Sequence, residues 1–512
     1  MRKRKEVKGL TPLIVVLSLA LLAGCGGGGG DGSMDSPGSP WAVTIQGVTA
    51  VGTDSDETGR GIATDTAGNV YVTGITDGTL PGSPVTNQGA YDFFLVKYNA
   101  TGDNVWTRQM GSPNTEVVSG VAVDNAGNIY VAGRTSGTLP GSPTTYQGGT
   151  DLFLVKYNSA GDNVWTRQLG SPDSDIVSGV AVDNAGNIYV AGYTGGTLPG
   201  SPTTHRGGGF DLFLVKYNST GENVWTRQMG SPKSDTSSGV AVDTGGNIYV
   251  AGYTGGTLPG SPTTHRGGGF DLFLVKYNSA GENVWTRQMG STKSDTASGV
   301  AVDSGGNIYV AGYTLGTLPG SPTTNQGGTD LFLVKYDSTG ENVWTRQMGS
   351  PFNDTVSGVA VDTAGNIYVA GYTSSTLPGS PTTNQGSDDL FLVKYNLAGD
   401  NVWTRQFGTP DIDDAMTVAV DTAGNIYVAG YTLGTLPGSP TTNQGSDDLF
   451  LVKYNSAGDN VWTRQKGSPD DDDALAIAVD TVGNVYVTGV RVKFFIEGDG
   501  FVLKYLPDGT GP

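Results

Sequence analysis

The chain is predicted to be all-β, an eight-bladed β-propeller of four-stranded antiparallel blades. Three observations predict it: a motif recurring about every sixty residues, four strand candidates in each interval, and two chain ends that complete one another. Self-similarity at such a period marks propellers or solenoids. Of the 512 residues, 82 are Gly and 25 Pro, and only 15% are charged. That composition suits many short strands joined by many turns.

The motif is GVAVDNAGNIYVAG, first complete at Gly120. Its aspartates are Asp65, Asp124, Asp183, Asp243, Asp303, Asp362, Asp421 and Asp480, spaced 59 or 60 apart. GVAVD and NIYVAGYT flank one short turn, and DLFLVKYN and NVWTRQMG flank another. In D-x-x-G-N the Gly supplies positive φ while Asp and Asn side chains bond local backbone. The strands are rich in Val, Ile, Leu, Phe, Tyr and Trp, which favour a pleated, covered surface. Along DLFLVKY, Leu152 and Leu154 point one way and Phe153, Val155 and Tyr157 the other. Both faces are apolar, so both need protein against them. Radially packed blades provide this. The small residues of Gly120-Val121-Ala122-Val123 suit the crowded strand nearest the axis, and the Trp-bearing strand suits the wide rim. Sixty residues with four antiparallel candidates is too long for one coil of a β-helix.

The ends settle the blade count. Trp occurs at 41, 106, 165, 225, 285, 344, 403 and 462. The first stands before any hairpin, while the last unit stops at LPDGTGP without a Trp strand. Residues 41–46 are therefore expected to complete the last blade beside Phe501–Tyr505. Closure of this kind removes exposed sheet edges.

Ahead of the propeller (41–512), residues 1–24 read as a targeting segment, with Arg2, Lys3, Arg4, Lys5 and Lys8 before an apolar run. That run is short for a spanning helix. It ends in Leu22-Ala23-Gly24-Cys25, which resembles the bacterial lipobox. The resemblance implies cleavage before Cys25, lipid attachment on Cys25 and an envelope location. With Gly26 following, it implies the outer membrane. Cys25 is the only cysteine, so no intramolecular disulfide is available. Residues 25–40 read as a Gly/Ser/Pro-rich tether with a reach of roughly 20 Å. The formal charge is −19, and residues 1–24 carry five positive charges and one negative, leaving −23 after their removal. Such a polyanion is repelled by phosphate backbones, which argues against nucleic-acid partners.

The units GVAVD-x-x-GNIYVAGYT, TLPGSPTT with a following Gln, DLFLVKYN-x-x-G and a Trp strand resemble the bacterial β-propeller repeat family called SBBP, over about residues 41–505. The resemblance implies a propeller, frequent on secreted or surface proteins, and no defined reaction. The hairpin also resembles that of NHL-type propellers. The eighth unit, VTGVRVKFFIEGDGFVLKY, lacks the LPGSPTT loop.

In such a blade the second-to-third and fourth-to-first connections share one face, and long loops on a rigid frame are where repeat proteins bind. The monotony of LPGSP favours a bridging role for that stretch. The fourth-to-first loops vary more and carry Asp173, Asp175, Asp235, Asp295, Asp354, Asp411, Asp413, Asp414, Asp470, Asp471, Asp472 and Asp473. These are the candidate ligand loops, expected to approach the channel. Ca²⁺, which takes six to eight oxygens, is the one cofactor they would suit, although no D-x-D-x-D-G loop exists. His205 and His265, equivalent residues in THRGGGFD, read as loop variants in place of a metal pair. The recurrent Trp resembles the tryptophan-docking repeat of eight-bladed quinoproteins, but adjacent cysteines are lacking, and Trp on an outer strand is more simply structural. Lys of FLVKY and Arg of WTRQ read as snorkelling rim charges. No nucleophile–base set or phosphate loop is present. The reading is a non-enzymatic envelope module binding a protein or glycan, with a propeller hydrolase or quinoprotein-like enzyme, and a structural surface-assembly component, as alternatives.

Overall fold

The computed structural model describes residues 41–45, 55–493 and 497–512. Cys25, the targeting segment and the tether lie outside the described residues. Within them, 32 strands form eight four-stranded antiparallel sheets. Blade one comprises β2 (Glu57–Thr64), β3 (Val70–Thr76), β4 (Asp92–Tyr98) and β5 (Asn104–Met110), hydrogen-bonded in that order. Six further blades repeat it. Blade eight is built from β30 (Asp471–Val479), β31 (Val485–Lys493) and β32 (Glu497–Tyr505), and β1 (Trp41–Ile45) supplies its outer strand. Trp41 pairs with Lys504 and Val43 with Val502. The orphan leading strand thus fills the place the C-terminus leaves open, as the ends predict.

The innermost strand of each blade packs against those of both neighbours, and β2 meets β30, so the ring is closed. Lys504 Nζ donates to the Ala100 carbonyl, and Gly498 N–H to Asp56, across the same seam. Where the eighth unit lacks the LPGSPTT loop, β31 and β32 run longer, with Val492 opposite Gly498 and Lys493 opposite Glu497. A chain beginning at residue 47 should lose cooperativity and several degrees of melting temperature, and should self-associate through the bare β32 edge. Calorimetry and light scattering check this, and an unaltered monomeric melt would refute the closing role.

Hydrophobic clusters lie between blades, as two-faced apolar strands require. Leu152 and Leu154 join Ile188, Val190 and Phe213 of the following blade, while Phe153, Val155 and Tyr157 join Tyr71 and Trp106 of the preceding one. The turns behave as their chemistry demands. Asp65 Oδ1 accepts the Ala67 and Asn69 amides, and its Oδ2 accepts Asn69 Nδ2 and the Tyr71 hydroxyl.

The Lys and Arg of each unit are not snorkelling rim charges. Lys97 is only 9% exposed. Its Nζ, 5.4 Å from the centre of the Tyr71 ring, donates to the Ser159 carbonyl in the next blade's turn. Trp106 Nε1 donates to the same carbonyl, and Arg108, stacked over Trp106, donates to the Gly161 carbonyl. Burial of the stem and a waiting carbonyl make these cations latches between blades. Gly161 has φ +83°, and a Cβ there would sit 2.7 Å from the Trp106 ring, so the Gly is needed for close docking as well as for the turn.

Candidate functional site

In the first seven blades both long connections emerge on one face and are knitted together. The Glu116 amide donates to the Tyr91 carbonyl and the Asp175 amide to the Thr150 carbonyl, joining one blade's second-to-third loop to the next blade's inner strand. The LPGSPTT loops are anchored by buried parts. Leu80 is buried, its amide donates to Gln109 Oε1, and Gln109 Nε2 donates to the Gly78 carbonyl and to Asp92. Further along the equivalent loop of blade two, Ser142 Oγ donates to the Thr144 carbonyl. Their monotony is therefore structural.

The candidate aspartates divide into two groups. Asp173 and Asp411 are exposed at loop tips, and Asp470, Asp471 and Asp473 are half-buried. Asp414 is buried and accepts the Tyr431 hydroxyl at 2.6 Å. The rest differ from the expectation of loop carboxylates approaching the channel. Asp175, Asp235, Asp295, Asp354, Asp413 and Asp472 lie within the inner strands at or near their starts and are fully buried. The hydrophobic stretch that follows draws each into the sheet, and a Ser or Thr four residues back satisfies it. Ser171, for example, gives Asp175 its amide at 2.6 Å and its hydroxyl at 3.1 Å. A Thr nineteen residues on closes the other side, as Thr254 does for Asp235. The equivalents in blades one and two are Glu57 and Glu116, hydrogen-bonded to Thr76 and Thr135. Following Asp alone along the repeat passes over both, because the longer acid takes the same place there.

From blade two to blade eight, each inner carboxylate faces a second buried one across a blade junction. A Cβ on Gly111 would lie 1.9 Å from Asp92 Oδ1 and 2.8 Å from Glu116 Oε2, and one on Gly408 2.5 Å from Asp389 Oδ1 and 2.9 Å from Asp413 Oδ2. Burial raises both members of the pairs Asp92–Glu116, Asp151–Asp175, Asp211–Asp235, Asp330–Asp354 and Asp389–Asp413. Asp92, Asp175, Asp235, Asp295, Asp354 and Asp413 are pushed up to about 6, while hydrogen bonds pull the other way and the facing carboxylate adds a smaller upward push for all but Asp92. Blade eight is different, for Arg491 stands where the others have Thr and pairs with Asp472 at 2.8 Å. The candidates are thus distributed around the ring. Among the described residues no group of three or more His, Cys, Asp or Glu is arranged to hold a metal. His205 Nε2 lies 2.9 Å from the Gly209 carbonyl and 3.8 Å from Asp211, and His265 repeats this with Gly269 and Asp271.

The loop face instead gathers an aromatic crescent from the second Tyr of the NIYVAGYT motif. Tyr193, Tyr253, Tyr313, Tyr372 and Tyr431 hold one register position at the loop end of the second strand in five consecutive blades. The first four are half-buried. Burial raises Tyr193, Tyr253 and Tyr372, and a neighbouring phenol of the crescent, once ionised, raises each further, as Asp414 does for Tyr372. Phe210 and Phe270 pack edge-on against Tyr193 and Tyr253 at 5.0 and 4.9 Å. Outside the crescent runs a variable ring, one residue per blade junction: Asn114, Asp173, Lys233, Lys293, Phe352, Asp411 and Asp470. Phe352 is 61% exposed.

A model of the SBBP β-propeller repeat matches residues 43–81, 105–140, 164–199, 224–259, 284–318, 343–378, 402–436 and 461–490. The chain belongs to that family. This SBBP propeller is 26% identical over 478 residues to the regulatory protein FlaEY of Caulobacter vibrioides, a match covering 85% of the chain and 49% of the relative. It is 22% identical to an uncharacterised WD-repeat-containing protein of Acanthamoeba polyphaga mimivirus, over 72% of the chain and 34% of the relative. The SBBP chain therefore spans about half the length of the first and a third of the second. Among solved structures it is similar to a puromycin hydrolase (TM-score 0.42, 11% identity, 85% of this chain and 58% of that one) and a Synechocystis apocarotenoid oxygenase (TM-score 0.40, 12% identity, 84% and 95%). At those scores the likeness carries no chemistry over.

Proposed function

We propose that this SBBP propeller is a non-enzymatic binding module that takes a protein or glycan partner on its long-loop face, held at the bacterial outer membrane by lipid on Cys25. The observation that carries the reading is where the repeat varies. Seven near-identical units hold their strands, latches and LPGSP loops constant, yet the ring from Asn114 to Asp470 changes from amide to carboxylate to ammonium to phenyl and back to carboxylate. Variable side chains on a rigid, tied-down frame are how a repeat array specifies a partner. The similarity to a protein named as regulatory accords with binding in place of turnover. Aromatic surface at the channel mouth adds contact area at low entropic cost.

Binding to envelope extracts and a glycan array tests this. The combined replacement Phe352→Ser, Asp411→Ser and Asp470→Ser, all on the loop face and outside the latches, should weaken capture at least tenfold while leaving the melting temperature within a degree or two. Capture indifferent to those changes would overturn the assignment of the face.

A further inference from the structure

Two departures from the repeat converge at the channel. In five blades the residue at the bulge of the inner strand is Ser119, Ser178, Ser238, Ser298 or Ser357; in blade one it is Arg60. In the first three of those five its hydroxyl bonds the next inner strand, as Ser119 does to the Val177 carbonyl at 2.8 Å. At the register position of the tyrosine crescent, blade two carries Arg134. β2 packs directly on β6 (Glu116–Val123), since a Cβ on Gly61 would touch Val121 and Gly120. Arg134 of β7 (Ile129–Thr135) stands opposite Val117 at the loop end of that same β6. The two substitutions, seventy-four residues apart in sequence, therefore face the same corner of the channel.

Neither guanidinium is neutralised. Arg60 Nε is buried with no hydrogen-bond partner, and neither arginine forms an ion pair among the described residues. Burial first, and the positive charge of Arg134 second, bring Arg60 down to about 10. Arg134 is likewise lowered by burial, with only the Tyr193 hydroxyl in opposition. Two half-buried cations held against each other are costly, and in a mature chain of net charge −23 they run against the overall field. Violations of local consistency of this kind collect at functional sites. Guanidinium is the group that meets carboxylate in a planar, two-pronged fashion. Tyr193 adjoins Arg134, and the crescent continues from it through Tyr253 and Tyr313.

Resting on the loop-face reading, we propose that the channel mouth binds an acidic saccharide, its carboxylate seated between Arg60 and Arg134 and its apolar sugar faces along Tyr193 and Tyr253. A sugar chain suits the place because a curved row of aromatic surface meets successive rings. A lone anion would use only the arginines.

Titration calorimetry of the purified full chain with galacturonate oligomers, neutral galactose oligomers of equal length, an acidic hexapeptide and inorganic phosphate tests the inference. The variants are Arg60→Ser and Arg134→Tyr, each the residue that five other blades carry, so the fold has a native precedent for both. Galacturonate oligomers should bind, galactose oligomers at least tenfold more weakly, and the double variant should lose at least tenfold for the acidic sugar alone. Equal affinity for acidic and neutral oligomers, or an unchanged double variant, overturns the carboxylate seat while leaving the loop face standing. Preference for the peptide or for phosphate overturns the saccharide assignment.

Discussion

Unfolding midpoints in denaturant are expected to fall steeply as the pH is raised from about 5 to about 7.5. The cause is the ring of buried carboxylates. Each of Asp92, Asp175, Asp235, Asp295, Asp354 and Asp413 is pushed up to about 6 from an ordinary 3.8, chiefly by burial. Glu116, Asp151, Asp330, Asp389 and Asp448 are raised for the same leading reason. A carboxyl whose folded value lies above its unfolded one binds more protons folded than unfolded between the two. Its stabilising contribution is complete below about 4 and is lost as the pH climbs through about 6. One such group accounts for at most about 3 kcal/mol, and facing pairs share protons, so the total is less than the number of groups implies. Several junctions titrating together still exceed the loss of any single latch between blades. Self-repulsion of the polyanionic chain acts in the same direction. Replacing one member, Asp295→Asn, should flatten the slope by one group's share. A midpoint that is level, or that rises toward neutral pH, would mean that the junctions are solvated or neutralised in some other way. Blade eight supplies an internal contrast, because Arg491→Thr leaves Asp472 without its cation and should steepen the dependence.

The same carboxylates show where sequence reasoning reached and where it stopped. Period, strand alternation and complementary ends were legible because each rests on local chemistry repeated eight times. Leu152 and Phe153 face opposite blades as their alternation requires, and Trp41 finds Lys504 because no other edge lacks a strand. The site was less legible. Asp175 and Asp413 stand in stretches that read as loop, GSPDSD and GTPDID, and only the sheet shows them drawn inside and capped by Ser171 and Thr409. Lys97 resembles a surface cation until the next blade's Ser159 carbonyl is placed beside it. Arg60 and Arg134 occupy positions that five other blades fill with Ser and Tyr. Their meaning depends on a bulge and on a neighbouring blade, and spacing along one chain encodes neither.

Trp285→Ala should be more damaging than loss of either cation of its latch, at about 3–5 kcal/mol for loss of a large packed aromatic. Trp285 is 8% exposed, packs in the cluster of Tyr249, Leu272 and Phe332, and lies under the Arg287 guanidinium at 5.3 Å. Its Nε1 donates to the Ser338 carbonyl, which Lys276 Nζ also engages at 2.9 Å. Truncation leaves a cavity between two blades, not within one, so the lost energy holds the ring together. Trp285→Phe should recover most of the packing and forgo about 1 kcal/mol for the hydrogen bond. Thermal unfolding, together with proteolysis at the Ser338 turn, separates the two effects. Every latch should cost a similar amount, because Trp106, Trp165, Trp225, Trp344 and Trp403 repeat the geometry. The exception tests the logic. Trp462 Nε1 and Lys453 Nζ reach the Pro507 carbonyl, and Arg464 reaches that of Gly509. The C-terminal segment therefore stands in for a blade's turn. Ending the chain at Leu506 should reproduce much of the loss from Trp462→Ala, and the two changes combined should cost little more than either alone. Additive losses would show that the final residues do not complete the latch of blade seven.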